Sequence, residues 1–463
     1  MNSMKFLKLI LIVIITNIVC QREKLQIVNI ENPNFRPEET RDLVFGFNHM
    51  KHGASSPCYG LNGYYTDIFD QKWIGFCELT KKGFLQLFKL GKIYQQRYNS
   101  LLNISNPDIN KVKSFASKAN KTLMSSNALF YGMYINKNTP IEEQITVPVR
   151  NFKNYIGKDL IPIFYYTESA NCKGWKSIVE NNIKNIIKNN NNQINTRFNK
   201  FYGSYKKVFD LLKNDDRMIN SKTVIDKVNL LCSSYISNYY DDRYQNIEIF
   251  KDLNYSQEQF YNLYYDCLDI NLFRYINIEY GGEAQKVPMI VLSELINDML
   301  FYMDEIIQNP ENPKFVSYIG HDSTLAGLQI ILEKAFFIPP KLMNFASNQI
   351  FLLYKDPDTA NDPDIEKRYR VKYFYNDQLS MITQYDEFKK GLLNLMKTEY
   401  NLEYFCEGFK PYDYIVLGLC SGIIILFFSI ISICCYHRNI IFNKKKYISL
   451  KEEPRDKSVE IQN

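Results

Sequence analysis

The sequence predicts an α/β fold with an all-helical insert, and three observations support that class. Near the start, the apolar run at residues 43–45 leads into a turn of small residues that carries His52. Far along the chain, a second apolar run at residues 315–319 ends at a glycine followed by His321. Short apolar runs bounded by glycine-containing loops are typical of buried strands. Between the two runs, apolar residues recur at helical spacing instead.

Two hydrophobic segments predict how the chain is placed relative to a membrane. Residues 1–20 carry two lysines before a short apolar run, as secretory signal peptides do. Residues 414–435 form an uncharged apolar run that is long enough to cross a hydrocarbon core of about 30 Å. Basic residues follow it, which places residues 436–463 in the cytoplasm and a domain at residues 21–411 in the lumen or outside the cell. We therefore expect a single-pass type I membrane protein.

The tail carries one further pattern. Tyr447 and Leu450 frame a Y-x-x-Φ sequence of the kind that sorting adaptors bind when they direct membrane proteins to endosomes and lysosomes. An ordinary solvated tail is the alternative interpretation. The expected location is accordingly a lysosome or endosome, or the cell surface, with the N-terminal domain lumenal or extracellular.

Helical periodicity dominates the domain between the two motifs. It predicts an all-helical insert at about residues 172–280 that caps the sheet, and strands return after it. The predicted helices are residues 78–98, 175–188, 206–212, 224–236, 257–269 and 287–307, the asparagine run 189–192 is predicted as a loop, and the late strands are residues 351–354 and 369–375.

Composition narrows the function classes. A net charge of +6 over 463 residues is too small to favour a nucleic-acid partner. An even number of cysteines lies outside the predicted signal peptide and membrane span, which predicts up to three disulfides. These residues are Cys58, Cys77, Cys172, Cys232, Cys267 and Cys406, and the sequence alone does not determine how they pair. Cysteine and histidine show no metal-ligand spacing, so we expect no metal site and no cofactor. Asn103 and Asn254 begin glycosylation sequons.

The two histidine motifs together resemble those of the histidine acid phosphatase family. The stretch Lys-His-Gly-Ala-Ser-Ser-Pro at residues 51–57 stands where that family has R-H-G-x-R-x-P, and residues 320–322 match its G-H-D. The intervening stretches at residues 73–98 and 112–126 are similar to the family's W…E-L-T-x-x-G…L-G…R-Y and V-R-S…R-T-x-x-S segments. The resemblance covers roughly residues 43–406 and implies a central mixed sheet flanked by helices.

The resemblance also implies roles for individual residues. His52 would be the nucleophile that becomes phosphorylated, and Asp322 the acid that protonates the leaving alcohol. His321 would donate a hydrogen bond to phosphate. The family pairing implies a Cys172–Cys406 disulfide, beside which we expect Cys58–Cys77 and Cys232–Cys267. The substrate would be a small phosphate monoester, and homodimer formation is left open.

The sequence departs from the family where phosphate is bound. The three expected arginines are replaced by Lys51, Ser55 and Lys121. Lysine keeps a point charge but lacks the planar fork of donors, and serine carries no charge. The retained His52, His321 and Asp322 favour a weakened membrane-anchored acid phosphatase. The missing arginines favour an inactive descendant that binds a ligand or acts as a surface or sorting protein.

Overall fold

A computed structural model of the chain describes residues 42–58, 67–73, 75–102, 111–117, 119–134, 172–188, 192–311, 313–396, 405–406 and 423–438. The chain divides into two compact units, Met1–Cys406 and Glu407–Asn463. The predicted signal peptide, Asn103, the sorting pattern at Tyr447 and Leu450, and the start of the predicted membrane span lie outside the described residues.

The first unit is built on a six-stranded mixed sheet. Its strands are β1 (Leu43–Lys51), β2 (Val112–Ala116), β3 (Phe315–Gly320), β4 (Asn348–Lys355), β5 (Tyr369–Tyr375) and β6 (Gln378–Gln384), arranged in the order β2-β3-β1-β4-β5-β6. β1, β2 and β3 are parallel, whereas β4, β5 and β6 add antiparallel pairs. β1 therefore lies in the interior of the sheet, which explains its nearly continuous apolar run.

Helices flank this sheet, as predicted. They are α1 (Lys81–Arg97), α2 (Asn99–Leu102), α3 (Asn120–Tyr134), α4 (Lys173–Lys188), α5 (Asn192–Ser204), α6 (Lys206–Leu212), α7 (Asp216–Asn220), α8 (Val224–Tyr240), α9 (Glu248–Asp252), α10 (Gln257–Arg274), α11 (Val287–Val291), α12 (Ser293–Gln308), α13 (Asp322–Phe336) and α14 (Tyr385–Met396). The start of α1 is set by Thr80, whose side chain accepts a hydrogen bond from the Gly83 N–H at 3.1 Å. The mixed sheet flanked by helices is thus confirmed.

Three apolar clusters hold these layers together. One joins α1 and α3 to one face of the sheet through residues such as Tyr94 and Leu129. A second joins α12, α13 and α14 to the other face, where Phe47 of β1 is buried. The third is the core of α4 to α10, and it reaches Ala54 and Phe345 beside the end of β1. The helical stretch therefore packs next to the residues that follow β1.

The single helix predicted at residues 287–307 is wrong in one respect, because the chain leaves helical geometry at Leu292 (φ −107°, ψ 6°). Ser293 Oγ donates to the Ile290 carbonyl at 2.8 Å, which occupies an acceptor that a continuous helix would use. The loop predicted at residues 189–192 is corrected at its last residue, since Asn192 begins α5, and residues 189–191 lie outside the described part of the chain. Strand β6 was not predicted.

Three disulfide bonds link described cysteines of the first unit. The disulfides Cys58–Cys77, Cys172–Cys406 and Cys232–Cys267 are all present, with the expected pairing. Asn254, the start of a predicted glycosylation sequon, is exposed in a turn.

In the second unit, residues 423–438 are helical and exposed. Across the described ranges, we find no helix that combines the length and the apolar character needed to cross a membrane.

Candidate active site

The candidate site forms where two parallel strands end side by side. β1 and β3 pair in register as far as Lys51 and Gly320, so the residues that follow, His52 and His321, leave the sheet at the same edge. The centroids of the two imidazole rings lie 5.5 Å apart. The backbone N–H of His52 donates to the Gly320 carbonyl at 3.1 Å. Two motifs that are far apart in sequence thus meet at one place, as parallel strands require.

Hydrogen bonding fixes the position of the proton on the His52 ring. Nδ1 lies 2.7 Å from the Gly53 carbonyl oxygen, which can only accept, so Nδ1 carries the proton and donates. Burial, followed by the positive charge of Lys121, lowers the pKa of His52 well below its usual value. The ring is therefore neutral, and its Nε2 atom keeps a lone pair for nucleophilic attack.

His321 is held by a pair of hydroxyl groups next to β2. Its Nε2 lies 2.8 Å from Ser117 Oγ, which in turn lies 2.8 Å from Thr122 Oγ1. Burial, followed by the charges of Lys121 and Lys51, lowers the pKa of His321 to about 3. The second imidazole is accordingly neutral as well in the ligand-free site.

Two buried lysines and one carboxylate supply the charge of the site. The exposed fractions of Lys51 and Lys121 are 4% and 8%. Lys51 Nζ lies 2.5 Å from Asp322 Oδ1 and 4.5 Å from the centroid of the Phe345 ring. Lys121 Nζ lies 3.2 Å from Sγ of Cys58. Two ammonium groups against one carboxylate leave a net positive charge, which favours an anionic ligand.

The loop that follows His52 is anchored from two sides. Ser125 Oγ in α3 accepts a hydrogen bond from the Gly53 N–H at 3.0 Å. Ser55 is buried, and its backbone forms an antiparallel bridge with Leu79 just before α1. Four predicted site residues, Lys51 and His52 with His321 and Asp322, thus lie at the ends of β1 and β3, and Ser55 lies on the anchored loop.

This arrangement agrees with what sequence comparison finds. The sequence profile of the histidine phosphatase superfamily (branch 2) matches residues 48–376. The chain belongs to this superfamily. The matched stretch runs from β1 to the end of β5 and includes both histidine motifs.

Individual relatives of this superfamily are distant. The lysosomal acid phosphatase of Rattus norvegicus is 35% identical over 100 residues, which are 21% of this chain and 23% of that protein, well under two thirds of its length. The lysosomal acid phosphatase of Xenopus laevis is 23% identical over 420 residues, 85% of this chain and 86% of that protein. Among solved structures, the phytase from Citrobacter braakii aligns with a TM-score of 0.51 at 12% identity and covers 76% of this chain and 98% of the phytase. This last match shows a shared fold.

Sequence reasoning missed several polar residues around the candidate site. Ser117 and Ser125, which contact His321 and the His52 loop, lie in or beside a segment that carries the family resemblance. Asn271 of α10 donates to Asp322 Oδ2 at 3.4 Å and had no sequence signal. Among the described residues, no group of three or more His, Cys, Asp and Glu side chains is placed to bind a metal ion.

Gly53 is expected to tolerate no side chain. A Cβ atom there would lie 2.5 Å from the Gly83 carbonyl oxygen and 2.6 Å from a Leu87 methyl carbon, so α1 would have to move. We expect Gly53→Ala to lower the free energy of unfolding by about 1–3 kcal/mol, measured by urea denaturation. Gly203→Ala is the matched control, because a Cβ in that helix would meet nothing within 4 Å. Equal stability of the two variants would contradict the prediction.

Proposed function

We propose that the protein hydrolyses phosphate monoesters through a phosphohistidine formed at His52. The observation that carries the proposal is the hydrogen bond from His52 Nδ1 to the Gly53 carbonyl, because it leaves Nε2 as the nucleophile. A neighbouring neutral His321 and two buried lysines favour binding of a phosphate group beside that atom. Membership of the histidine phosphatase superfamily supports the same chemistry.

The reaction proceeds in two displacements. Nε2 of His52 attacks phosphorus, the bond from phosphorus to the ester oxygen breaks, and Asp322 gives its proton to the departing oxygen. Water then attacks the phosphohistidine, the phosphorus–nitrogen bond breaks, and Asp322 recovers a proton from that water. His321, Lys51 and Lys121 bind the phosphoryl oxygens, where charge neutralisation is the main task of a protein in phosphoryl transfer.

Phosphate binding in this site is expected to be weak. Lys51 and Lys121 offer point charges in place of guanidinium groups, and Ser55 offers a hydroxyl. Fewer fixed charges favour a small monoester over a polyphosphate. In the free protein, Lys51 also pairs with Asp322, so a substrate must compete for its ammonium group.

The setting proposed for this activity is membrane-bound. We assign residues 1–20 to a signal peptide, residues 414–435 to one membrane span and residues 436–463 to a cytoplasmic tail that carries the sorting pattern at Tyr447 and Leu450. Lysosomal acid phosphatases of rat and Xenopus laevis are among the relatives, which supports a lumenal domain in a lysosome or endosome, with the cell surface as the alternative.

A second candidate function is phosphate binding without turnover. The Lys51–Asp322 ion pair favours it, because the ammonium group occupies the carboxyl oxygen that would have to pass a proton to the leaving group. This candidate predicts that inorganic phosphate binds while hydrolysis is absent.

The deciding experiment measures hydrolysis of p-nitrophenyl phosphate by the full-length protein from about pH 4 to about pH 8. The phosphate group of the substrate is labelled, and rapid quenching of the same samples traps any label that has become covalently bound to the protein. Turnover with an acid-labile, alkali-stable phosphoprotein supports the proposal. Absence of hydrolysis across this range, with phosphate binding detected by calorimetry, would replace the proposal with the second candidate.

Adding a guanidinium group at position 55 is expected to accelerate the reaction. A charge-assisted hydrogen bond to phosphate contributes about 1.5–3 kcal/mol, so Ser55→Arg should raise kcat/KM by roughly tenfold to hundredfold. Ser55→Gln is the control, since it adds length and donors without charge. A gain in the glutamine variant as large as in the arginine variant would mean that charge is not what the site lacks.

A further inference from the structure

The end of α10 touches the carboxyl group that the proposed reaction uses as its acid. Asn271 Nδ2 donates to Asp322 Oδ2 at 3.4 Å, while the other carboxyl oxygen, Oδ1, pairs with Lys51. Asn271 belongs to the helical insert, and Asp322 begins α13 after β3. The insert therefore contacts the site through a hydrogen bond in addition to apolar packing.

The direction of the Asn271 amide is set by Arg274. One guanidinium nitrogen of Arg274 donates to Asn271 Oδ1 at 3.0 Å, and a second lies 3.3 Å from the same oxygen. A guanidinium group has no acceptor, so it can only face the amide oxygen. The amide nitrogen must then point the other way, towards Asp322.

Arg274 is itself held by an unusual turn of helix. The π-helical segment Tyr275–Glu279 follows α10 directly, and the Tyr280 N–H donates to the Tyr275 carbonyl at 2.9 Å. A π-helix aligns residues five apart, and it brings Glu279 Oε1 to 2.5 Å from the guanidinium group of Arg274. The exposed fractions of these two side chains are 20% and 9%, so the ion pair is largely removed from water. Single π-helical turns often accompany functional sites.

We propose that Asn271, oriented by Arg274 and Glu279, is a positioning residue for Asp322. The inference rests on the proposed function. The amide holds Oδ2 of the carboxyl group, so that Oδ1 is the oxygen that faces the reacting groups. When phosphate draws the Lys51 ammonium group away, Oδ1 takes up a proton from water and passes it to the ester oxygen as the bond from that oxygen to phosphorus breaks.

A positioning role of this kind depends on the leaving group. p-Nitrophenolate departs readily without a proton, whereas an alkoxide requires one, so misplacement of the acid slows alkyl esters much more. The parameter to compare is kcat/KM, because it reports the steps up to cleavage of the ester bond and is insensitive to later dephosphorylation. General loss of stability would instead lower the rates with both esters equally.

The test compares wild type and Asn271→Ala, as full-length proteins, on glycerol 2-phosphate and p-nitrophenyl phosphate. We expect kcat/KM to fall about tenfold for the alkyl ester and less than about twofold for the aryl ester. Asp269→Asn is the matched control, since Asp269 lies two residues away on the same helix and forms an ion pair with Arg197 on the surface. That control should leave both rates unchanged.

A second variant keeps the inference falsifiable if Asn271→Ala folds poorly. Arg274→Lys retains the charge beside Glu279 but loses the pair of hydrogen bonds from the guanidinium group to the Asn271 amide oxygen. It should therefore lower kcat/KM selectively for the alkyl ester, by less than Asn271→Ala does. Equal losses for both esters, or no loss in either variant, would overturn the inference while leaving a His52-dependent activity intact. An inactive wild type would overturn both this inference and the proposed function.

Discussion

Replacing His52 by alanine is expected to lower turnover of p-nitrophenyl phosphate by at least about a thousandfold. The loss is large because the imidazole forms the bond to phosphorus, and neither the lysines nor His321 can replace that bond. Steady-state rates near the pH optimum measure the change, and the trapped phosphoprotein should disappear from the variant.

A matched control comes from the same strand. His49 lies three residues before His52, is fully buried, and its Nδ1 lies 3.5 Å from Gln349 Oε1. His49→Gln should keep turnover within a fewfold of wild type, because His49 takes no part in the proposed reaction. If His52→Ala stayed folded, by near-ultraviolet circular dichroism, and turned over at the wild-type rate, the phosphoryl group could not pass through His52.

The two histidines at the centre of the site could be predicted from sequence because short local patterns mark them. A short apolar strand followed by a glycine turn marks both His52 and His321, and the resemblance to a known family implied that both histidines act on one phosphate group. Neither the spacing nor the composition could show that adjacency. The parallel register of β1 and β3 is a tertiary fact, and it places the two rings 5.5 Å apart.

The surroundings of the site could not be predicted in the same way. The contact of Asn271 with Asp322 depends on how the insert packs against α13, and no periodicity in α10 distinguishes that position from its neighbours. The pairing of Lys51 with Asp322 is likewise a contact between strand ends.

Strand β6, which was not predicted, is only weakly indicated by the sequence. Asn376 and Asp377 both have positive φ, as a tight hairpin requires, but no residue of the strand that follows is fully buried, and the adjacent Met381 and Ile382 break its apolar alternation.

Acidification is expected to destabilise the ligand-free protein through its buried histidines. Burial lowers the pKa of His49 to about 4 and that of His321 to about 3, whereas both return to their usual value near 6.5 when the chain unfolds. Between these values the unfolded state binds more protons than the folded state, so stability falls as pH falls. For His49 alone, the free energy of unfolding should drop by about 3 kcal/mol between about pH 6.5 and about pH 4. Urea denaturation across that range measures the slope.

Comparison with variants and with phosphate separates the contributions of individual histidines. Carboxylates titrate in the same range, but His49→Gln leaves them unchanged, so its shallower slope isolates His49. Inorganic phosphate should flatten the slope further, because an anion beside His52 and His321 favours their charged forms and raises their pKa values towards those of the unfolded chain. Parallel curves for wild type and His49→Gln would contradict the burial argument. Bound phosphate that left the slope unchanged would mean that the anion does not lie against the histidine pair. Phosphate binding would then not stabilise the folded protein at acidic pH, where the proposed enzyme works.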